Sequence, residues 1–301
     1  MYKYKYQQSL SNFEIKKYCD KEIKDINLNE LINKNGDTLL IYACTRNNEN
    51  IVRLLFKNGA DVNVGNKYGN IPLIYACRNC NENIVRLLIE NGADANKENK
   101  YDGDTPLIYA CSNNNENIVK LLIENGADAN KENKYGNTPL IEACDNNNEN
   151  IVKLLIENGA DANKENKYGN TPLIEVCNNN NENIVKLLNE NGADANKENK
   201  YGNTPLNEAC RKNNENIVRL LIENEADVNK ENEYGDTPLI YACRNCNENI
   251  VRSLIENGAD VNKESKYDIT SLMEACKKGN ENIVSLLIEN GADVNKKKYW
   301  W

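Results

Sequence analysis

Cysteine is the residue type whose number and spacing in this sequence first suggest chemistry. The chain of 301 residues has eleven cysteines and no histidine. Histidine is the commonest general base and a frequent zinc ligand, so its absence excludes the usual Ser-His and Cys-His nucleophile pairs and zinc sites that use histidine. No catalytic residue, metal site or cofactor is therefore predicted, and we expect a protein that is not an enzyme.

Eight of the cysteines recur at one fixed place. Their spacing is 33 residues, with one 34-residue step: Cys44, Cys77, Cys111, Cys144, Cys177, Cys210, Cys243 and Cys276. Equivalent points on stacked helices lie ~8–10 Å apart, beyond the ~7 Å Cα separation that a disulfide can bridge. We therefore predict free, buried packing residues in a reducing compartment, which places the protein in the cytoplasm or the nucleus. The N-terminal residues also lack the apolar core of a signal peptide, so secretion is not expected.

Two further cysteines, Cys80 and Cys246, each follow an arginine and an asparagine. A reactive thiol needs exposure and a lowered pKa, and Arg78 and Arg244 lie two residues away. Copying of one sequence unit into another explains the pair equally well. An inert surface thiol is favoured over a redox-sensing one.

The charge balance limits the class of partner. The chain carries 46 acidic and 37 basic side chains, for a net charge of -9. This excess of negative charge argues against nucleic acid or an anionic membrane as the main partner. No stretch approaches the ~18 apolar residues of a membrane helix, so the expected partner is a protein or peptide.

Glycine marks an internal repeat. Seven glycines share the 33-residue spacing, with one 34-residue step at Tyr101-Asp102-Gly103: Gly36, Gly69, Gly103, Gly136, Gly169, Gly202 and Gly235. An eighth unit has Asp268 in that place, as terminal repeats are often atypical. All six prolines occupy one position of the unit, from Pro72 to Pro238. Such a fixed period is typical of a solenoid of stacked units.

Each unit predicts a turn followed by two helices. In the fourth unit Gly136 forms a tight turn, and Thr138 caps a helix whose first turn contains Pro139. A second apolar helix follows over 151–156, and Gly159 ends it in the left-handed conformation. The recurring Gly-Ala-Asp-x-Asn is expected to stabilise a turn, because it lacks the ligand spacing of a calcium loop.

This unit resembles the ankyrin repeat, a β-turn followed by two antiparallel helices. The resemblance rests on Thr-Pro-Leu, Ile-Val-x-Leu-Leu and Gly-Ala-Asp-x-Asn, and it covers residues 33–295. It implies an all-α ankyrin-repeat solenoid of eight stacked helix-turn-helix units joined by β-turn loops. The family's histidine after Thr-Pro-Leu, which ties neighbouring turns together, is missing; its place holds Ile41, Ile74, Ile108, Ile141, Ile174, Asn207, Ile240 and Met273. We therefore expect stacking to rely more on apolar contact.

Three segments follow from this pattern. Residues 1–32 are predicted to form an N-terminal capping region, with an amphipathic helix over 12–26. Residues 33–295 are the eight ankyrin repeats. Residues 296–301 form a basic and aromatic tail that ends in Trp300 and Trp301. This tail is interpreted as a packed cap or plain disorder, with a short partner-binding tag as the alternative.

The family's partners usually bind the concave side, which turn tips and first helices form. By position, the resemblance places seven tyrosines on the turn tips: Tyr68, Tyr101, Tyr135, Tyr168, Tyr201, Tyr234 and Tyr267. On the first helices it places Tyr42, Tyr75, Tyr109, Glu142, Glu175, Glu208, Tyr241 and Glu274, followed by an exposed column that includes Arg78, Arg211 and Arg244. The predicted groove has an aromatic first third, an acidic middle and a mixed, more basic far end.

This pattern favours a non-catalytic scaffold or adaptor that is monomeric by itself. Tyrosine and arginine often anchor interfaces, and the three successive glutamates favour a partner with a basic segment. One alternative is a passive structural or regulatory arm of a larger assembly, and a less favoured one is a thiol-based redox protein. Recent duplication would also copy the groove residues whether or not a partner uses them.

Units five and six contain three departures from good packing. Asn189 and Asn207 replace apolar residues, and Glu225 replaces the glycine that ends the second helix. A non-glycine residue in the left-handed conformation costs roughly 1 kcal/mol. We therefore predict a weak joint over residues 189–225.

Overall fold

The computed structural model describes residues 27–296. Within that range sixteen α-helices form eight consecutive pairs, and the only bridge between extended residues joins Glu264 and Thr270. Each pair packs on the pairs before and after it, first helix on first helix and second on second. The predicted all-α solenoid of stacked two-helix units is confirmed. The capping helix predicted over 12–26 and residues 297–301 of the tail lie outside the described residues.

The first helix of every unit begins at the position that proline occupies in units 2 to 7. These helices span Leu39–Thr45, Pro72–Arg78, Pro106–Ser112, Pro139–Asp145, Pro172–Asn179, Pro205–Arg211, Pro238–Arg244 and Ser271–Lys278. In unit 4 the Thr138 hydroxyl accepts a hydrogen bond from the Ile141 amide at 3.2 Å. Unit 2 has no such side-chain cap, because Ile71 stands in the place of the threonine.

The second helix of every unit is capped by asparagine. These helices span Glu49–Lys57, Glu82–Glu90, Glu116–Glu124, Glu149–Glu157, Glu182–Glu190, Glu215–Glu223, Glu248–Glu256 and Glu281–Glu289. In unit 4 Asn148 Oδ1 accepts from the Ile151 amide at 3.0 Å, and Glu149 lies where the helix dipole favours a carboxylate. At the other end Asn158 Nδ2 donates to the Leu154 carbonyl at 2.8 Å.

Aliphatic side chains and cysteines form one core along the whole stack. Seven of the eight recurring cysteines are buried free thiols, as predicted, and burial raises the pKa of Cys44 to about 12. The prediction is wrong for Cys276, which is exposed. Cys276 belongs to the eighth unit, and no further unit of the described chain covers that end of the core.

Neighbouring turns approach each other so closely that a side chain does not fit between them. Gly136 has φ 77°, and a Cβ atom there would lie 2.8 Å from the Lys167 backbone nitrogen of the next unit. Asp268 occupies the equivalent place in unit 8 with φ 53°. No described unit follows it, so its side chain meets no neighbouring turn. The departure at Asp268 therefore has a steric explanation.

A column of asparagines joins each unit to the next. In unit 4 Asn163 Nδ2 donates to the Gly192 carbonyl at 2.8 Å, and Asn163 Oδ1 accepts from the Asp194 amide at 2.7 Å. Asp161 accepts from the Asn163 amide at 2.8 Å and so closes the turn. The same pair of bonds is made by every member of the column, which we call the bridging asparagines: Asn63, Asn96, Asn130, Asn163, Asn196, Asn229 and Asn262.

These bonds add polar links to the apolar stacking that the sequence predicted. The turn backbones also bond to each other, as where the Lys167 amide donates to the Tyr135 carbonyl at 2.8 Å. Six ion pairs of 2.5–2.9 Å connect successive units: Lys131–Glu98, Lys164–Glu132, Lys197–Glu165, Lys230–Glu198, Lys263–Glu231 and Lys296–Glu264. Surface ion pairs contribute little singly. The bridging asparagines therefore provide the main polar link in place of the missing histidines.

The three departures in units 5 and 6 differ in severity. Asn207 is accommodated, because its Oδ1 accepts from the Thr204 amide at 2.9 Å and its Nδ2 donates to the Lys230 carbonyl at 3.2 Å. Glu225 takes the unfavourable φ of 62°. Asn189 has both side-chain polar atoms buried without a hydrogen-bond partner, which costs ~1–3 kcal/mol. A weak joint in this segment stays a prediction, and Asn189 is its main cause.

Substitution of two glycines in unit 4 distinguishes the cost of backbone strain from the cost of a steric clash between units. Gly159 has φ 83° and open space where a Cβ would lie, whereas Gly136 faces the next unit. We expect Gly159→Ala to lower the free energy of unfolding by ~1 kcal/mol through φ alone. Gly136→Ala should cost a further ~1–3 kcal/mol, because the Lys167 backbone must move. Urea unfolding followed by circular dichroism measures both, and equal losses would contradict the account.

Candidate functional site

The fourth residue of each first helix forms one column along the stack, which we call the groove column: Tyr42, Tyr75, Tyr109, Glu142, Glu175, Glu208, Tyr241 and Glu274. The first five of these side chains are half-buried. Glu208, Tyr241 and Glu274 are buried, with exposed fractions of 5%, 9% and 4%. Little of these three side chains is therefore accessible to a partner, and their predicted role in binding stays a prediction.

The tyrosines of the groove column take part in the turn network. The hydroxyl of Tyr75 accepts from Asn66 Nδ2 at 2.9 Å, and that of Tyr241 accepts from Asn232 Nδ2 at 2.8 Å. Tyr109 accepts from Asn99 Nδ2 at 2.9 Å in the same way. Burial is the main cause that raises the pKa of Tyr75, Tyr109 and Tyr241. These hydroxyls therefore stay protonated and hold the turn to the first helix.

The glutamates of the groove column are held by a different partner. Asn137, Asn170 and Asn203 each donate an Nδ2 hydrogen bond to the glutamate five residues later. The distances are 2.8 Å to Glu142, 2.8 Å to Glu175 and 2.9 Å to Glu208. The asparagine amide supplies the donor that a carboxylate requires.

The residue five positions earlier changes with the groove column. Asparagine precedes the glutamates Glu142, Glu175 and Glu208, whereas aspartate precedes the tyrosines Tyr42, Tyr109 and Tyr241. A carboxylate needs a donor and a phenol hydroxyl can use an acceptor, so each pairing is complementary. There are two exceptions. Asn70 precedes Tyr75, and its Oδ1 is buried without a partner; Ile269 precedes Glu274, whose Oε2 is likewise buried without a partner. The residues of the groove column therefore stabilise the fold as well as forming a candidate binding surface.

The predicted basic far end of the groove is neutralised within the chain. Arg211 Nε donates to Glu208 at 2.7 Å, and Arg211 Nη2 donates to Asn178 at 3.1 Å. Arg244 pairs with Asp236 at 3.1 Å and with Glu274 of the next unit at 3.2 Å. Both guanidinium groups are thus satisfied by neighbouring carboxylates, which offset the more basic character predicted for the far end of the groove.

The acidic middle of the groove differs from both ends. Neither Glu142 nor Glu175 forms an ion pair with any described residue, and burial is the main cause that raises the pKa of each carboxyl. Asp145, exposed beside them, carries a further negative charge. The acidic middle predicted from the sequence is therefore reduced to units 4 and 5.

The aromatic first third carries two arginines. Arg78 lies 5.9 Å from the ring centre of Tyr75 and 5.6 Å from that of Tyr109. Arg46 lies 5.4 Å from the ring centre of Tyr42. Both arginines are exposed, and neither forms an ion pair with a described residue. This end of the groove therefore presents positive charge on an aromatic base.

The seven turn-tip tyrosines form a second candidate surface. Their exposed fractions range from 46% at Tyr234 to 76% at Tyr101. The backbone carbonyls of Tyr68, Tyr135, Tyr168, Tyr201 and Tyr234 accept amide hydrogen bonds from the following turn. The Tyr135 hydroxyl donates to Asp102 at 3.3 Å, and this carboxylate raises the pKa of Tyr135. A rigid backbone thus presents a row of exposed aromatic rings.

Sequence reasoning missed that Cys77 and Cys80, like Cys243 and Cys246, have Cys-x-x-Cys spacing. Cys77 is buried, whereas Cys80 is exposed at φ 53° just after the helix ends. Burial and the nearby Cys80 raise the pKa of Cys77. Within the described residues, no group of three or more cysteine, aspartate or glutamate side chains is arranged to hold a metal ion.

A double-mutant cycle tests the pairing between Asn170 and Glu175. Asn170→Asp alone replaces the 2.8 Å hydrogen bond by two facing carboxylates, which should cost ~1–3 kcal/mol. Glu175→Tyr in the same chain restores the aspartate–tyrosine pairing of unit 3. We expect the double variant to recover ~1 kcal/mol or more relative to the sum of the single changes. Strictly additive losses in thermal or urea unfolding would show that the two positions are independent.

Comparison with known families agrees with this architecture. A family model described as ankyrin repeats (3 copies) matches the chain four times, over residues 11–99, 91–166, 158–232 and 224–298. No curated protein matches the chain significantly. Among the described residues, no helix combines the length and apolarity needed to cross a membrane. The matches span most of the chain and the described helices form the paired units of that repeat, so this chain belongs to the ankyrin repeat family.

Proposed function

We propose that this chain is a non-catalytic scaffold or adaptor that binds a protein or peptide partner across its first helices and turn tips. Ankyrin repeats are generally protein–protein interaction modules and are typically non-catalytic. The observation that carries the proposal is the row of seven exposed turn-tip tyrosines beside the groove column. Tyrosine combines a large apolar ring with a polar hydroxyl, which suits it to interfaces.

The charges of the groove support a protein partner. Glu142 and Glu175 are half-buried carboxylates without an internal cation, so they suit a partner with a basic segment. In this proposal the protein acts as a monomer in the cytoplasm or the nucleus, and neither nucleic acid nor a membrane is its partner. The turn tips supply aromatic contact area, and the first helices supply charge.

The two alternatives make different demands on the molecule. A passive arm needs only the stack, and it gives no role to the exposed tyrosines. A redox protein would use Cys80 or Cys246, and the cysteine that each could pair with, Cys77 or Cys243, is buried and has its pKa raised by that burial. These observations favour the adaptor over both alternatives.

A paired pull-down from source-cell lysate tests the proposal. One variant carries Tyr135→Ser, Tyr168→Ser and Tyr201→Ser at the turn tips. A matched control carries Lys120→Ser, Lys153→Ser and Lys186→Ser, all exposed on the second helices of units 3 to 5. Circular dichroism confirms that both variants fold.

We expect partners identified by mass spectrometry with the unmodified chain to be depleted at least tenfold by the tyrosine variant. Depletion of this size corresponds to ~1.4 kcal/mol of binding free energy, which a few interface aromatic residues readily supply. The lysine control should retain the same partners. Equal retention by both variants would contradict binding through the turn-tip tyrosines, the observation on which this proposal rests.

A further inference from the structure

We propose that the groove binds an extended partner segment by placing its arginine side chain between Glu142 and Glu175, and its acidic side chain against Arg78. This inference rests on the proposed function and specifies the partner. It commits to one occupant, a peptide segment with these two opposite charges at a defined separation. The same positions in other units of this chain show how such charges are held in the groove.

Units 6 to 8 show how a guanidinium group occupies the groove. Arg211 donates to the groove-column glutamate of its own unit, Glu208, at 2.7 Å. Arg244 donates to Glu274, the groove-column glutamate of the following unit, at 3.2 Å, and its guanidinium carbon lies 5.4 Å from the Tyr241 ring centre. Two of the four groove-column glutamates are therefore already paired with an arginine that the chain itself supplies.

Units 4 and 5 keep the glutamates but lack the arginine. Asp145 and Asn178 stand where units 6 and 7 have Arg211 and Arg244, three residues after the groove column. These shorter side chains cannot reach across the groove as the arginines do, and Asp145 adds negative charge. Glu142 retains neutral donors only, from Asn137 at 2.8 Å and from the Ser112 hydroxyl at 3.1 Å. The place of the guanidinium is thus left for a partner to fill.

Arginine fits this place better than lysine. Its planar guanidinium carries five donors, so one group can bond to two carboxylates on adjacent units, whereas an ammonium is a compact point charge. Arg244 demonstrates this in the chain, because it bridges Asp236 and Glu274. Burial raises the pKa of Glu142 and Glu175, and a guanidinium between them would favour their charged forms.

The exposed Arg78 at units 2 and 3 indicates that the partner also carries an acidic side chain. Arg78 stacks on Tyr75 and Tyr109, is exposed and forms no ion pair among the described residues; it acts on the half-buried carboxylate of Asp104, whose pKa burial raises and Arg78 lowers. An acidic side chain of the partner would complete this site. The two sites are two unit steps apart, about 16–20 Å at a helix spacing of about 8–10 Å. An extended chain at ~3.3 Å per residue covers that distance in about six residues.

Synthetic peptides with one glutamate and one arginine, separated by five alanine or serine residues, test the inference. Both chain directions are made, together with versions that carry lysine for arginine or alanine for glutamate. Binding to the isotope-labelled full chain is followed by NMR amide shifts, which detect weak complexes and locate them. The groove variant is Glu142→Gln with Glu175→Gln, which keeps the acceptor for Asn137 and Asn170. The matched control is Glu124→Gln with Glu157→Gln, both exposed on second helices.

We expect one of the two directions to shift amides of units 2 to 5. Its affinity should fall about tenfold or more in the groove variant, as expected for loss of close charge pairs, and stay unchanged in the control. The lysine and alanine peptides should bind at least threefold more weakly. Equal binding to the groove variant and the control, or shifts confined to other units, would overturn the inference. Equal affinity of the lysine peptide would overturn the choice of arginine, and equal affinity of the alanine peptide would overturn the acidic site.

The peptide experiment and the pull-down with the tyrosine variant can fail independently of each other. If the tyrosine variant loses its partners but the peptides bind equally to the groove variant and the control, the proposed adaptor function stands and this inference is wrong. Peptide binding as described, with every partner retained by the tyrosine variant, would confine binding to the charged groove and remove the role of the turn tips.

Discussion

The bond between adjacent turns is the interaction on which the rest of this structure depends. A single two-helix unit cannot bury its own apolar faces, so stability comes from stacking. Each bridging asparagine presents one donor and one acceptor in a fixed plane, and the next unit offers a carbonyl and an amide two residues apart, as Gly192 and Asp194 do for Asn163. These paired bonds set the spacing and orientation of every unit relative to its neighbour. The close approach at Gly136 is the steric counterpart of the same constraint.

The hydrogen bonds between turns also fix the positions of the side chains on the candidate binding surface. The asparagines that close the turns also bond to the groove column, as Asn66 does to Tyr75 and Asn232 to Tyr241. Residues of the groove column therefore stabilise the turns and also face a partner in the proposed function. Their replacement by alanine would disturb folding as well as binding. The complementary exchange of aspartate–tyrosine for asparagine–glutamate shows how the chain changes surface charge within an otherwise repeated turn. A binding surface of this kind varies in chemistry without altering its backbone.

Local signals predicted most of the fold, whereas contacts between units decided most of the site. Thr138 with Pro139 and the glycine at 159 located helix ends, because caps depend on neighbouring residues only. The burial of Tyr241 was not predictable in this way, since Glu208 and Arg211 of the preceding unit lie close to it. Cys276 was predicted to be buried because its sequence context matches that of the other seven, but burial depends on the unit that follows. The neutralisation of Arg244 likewise requires Glu274, thirty residues later.

Native-state hydrogen exchange of two asparagine variants in unit 4 tests the central claim most directly. Asn163 bonds to the next unit, whereas Asn158 bonds within its own helix to Leu154; each is changed to alanine. The account predicts that Asn163→Ala uncouples the stack, so that amide protection in units 5 to 8 falls below that in units 1 to 4 by ~1–2 kcal/mol for two lost bonds. Asn158→Ala should lower protection mainly within its own helix. Indistinguishable exchange patterns in the two variants would contradict the claim that the bridging asparagines hold the units together.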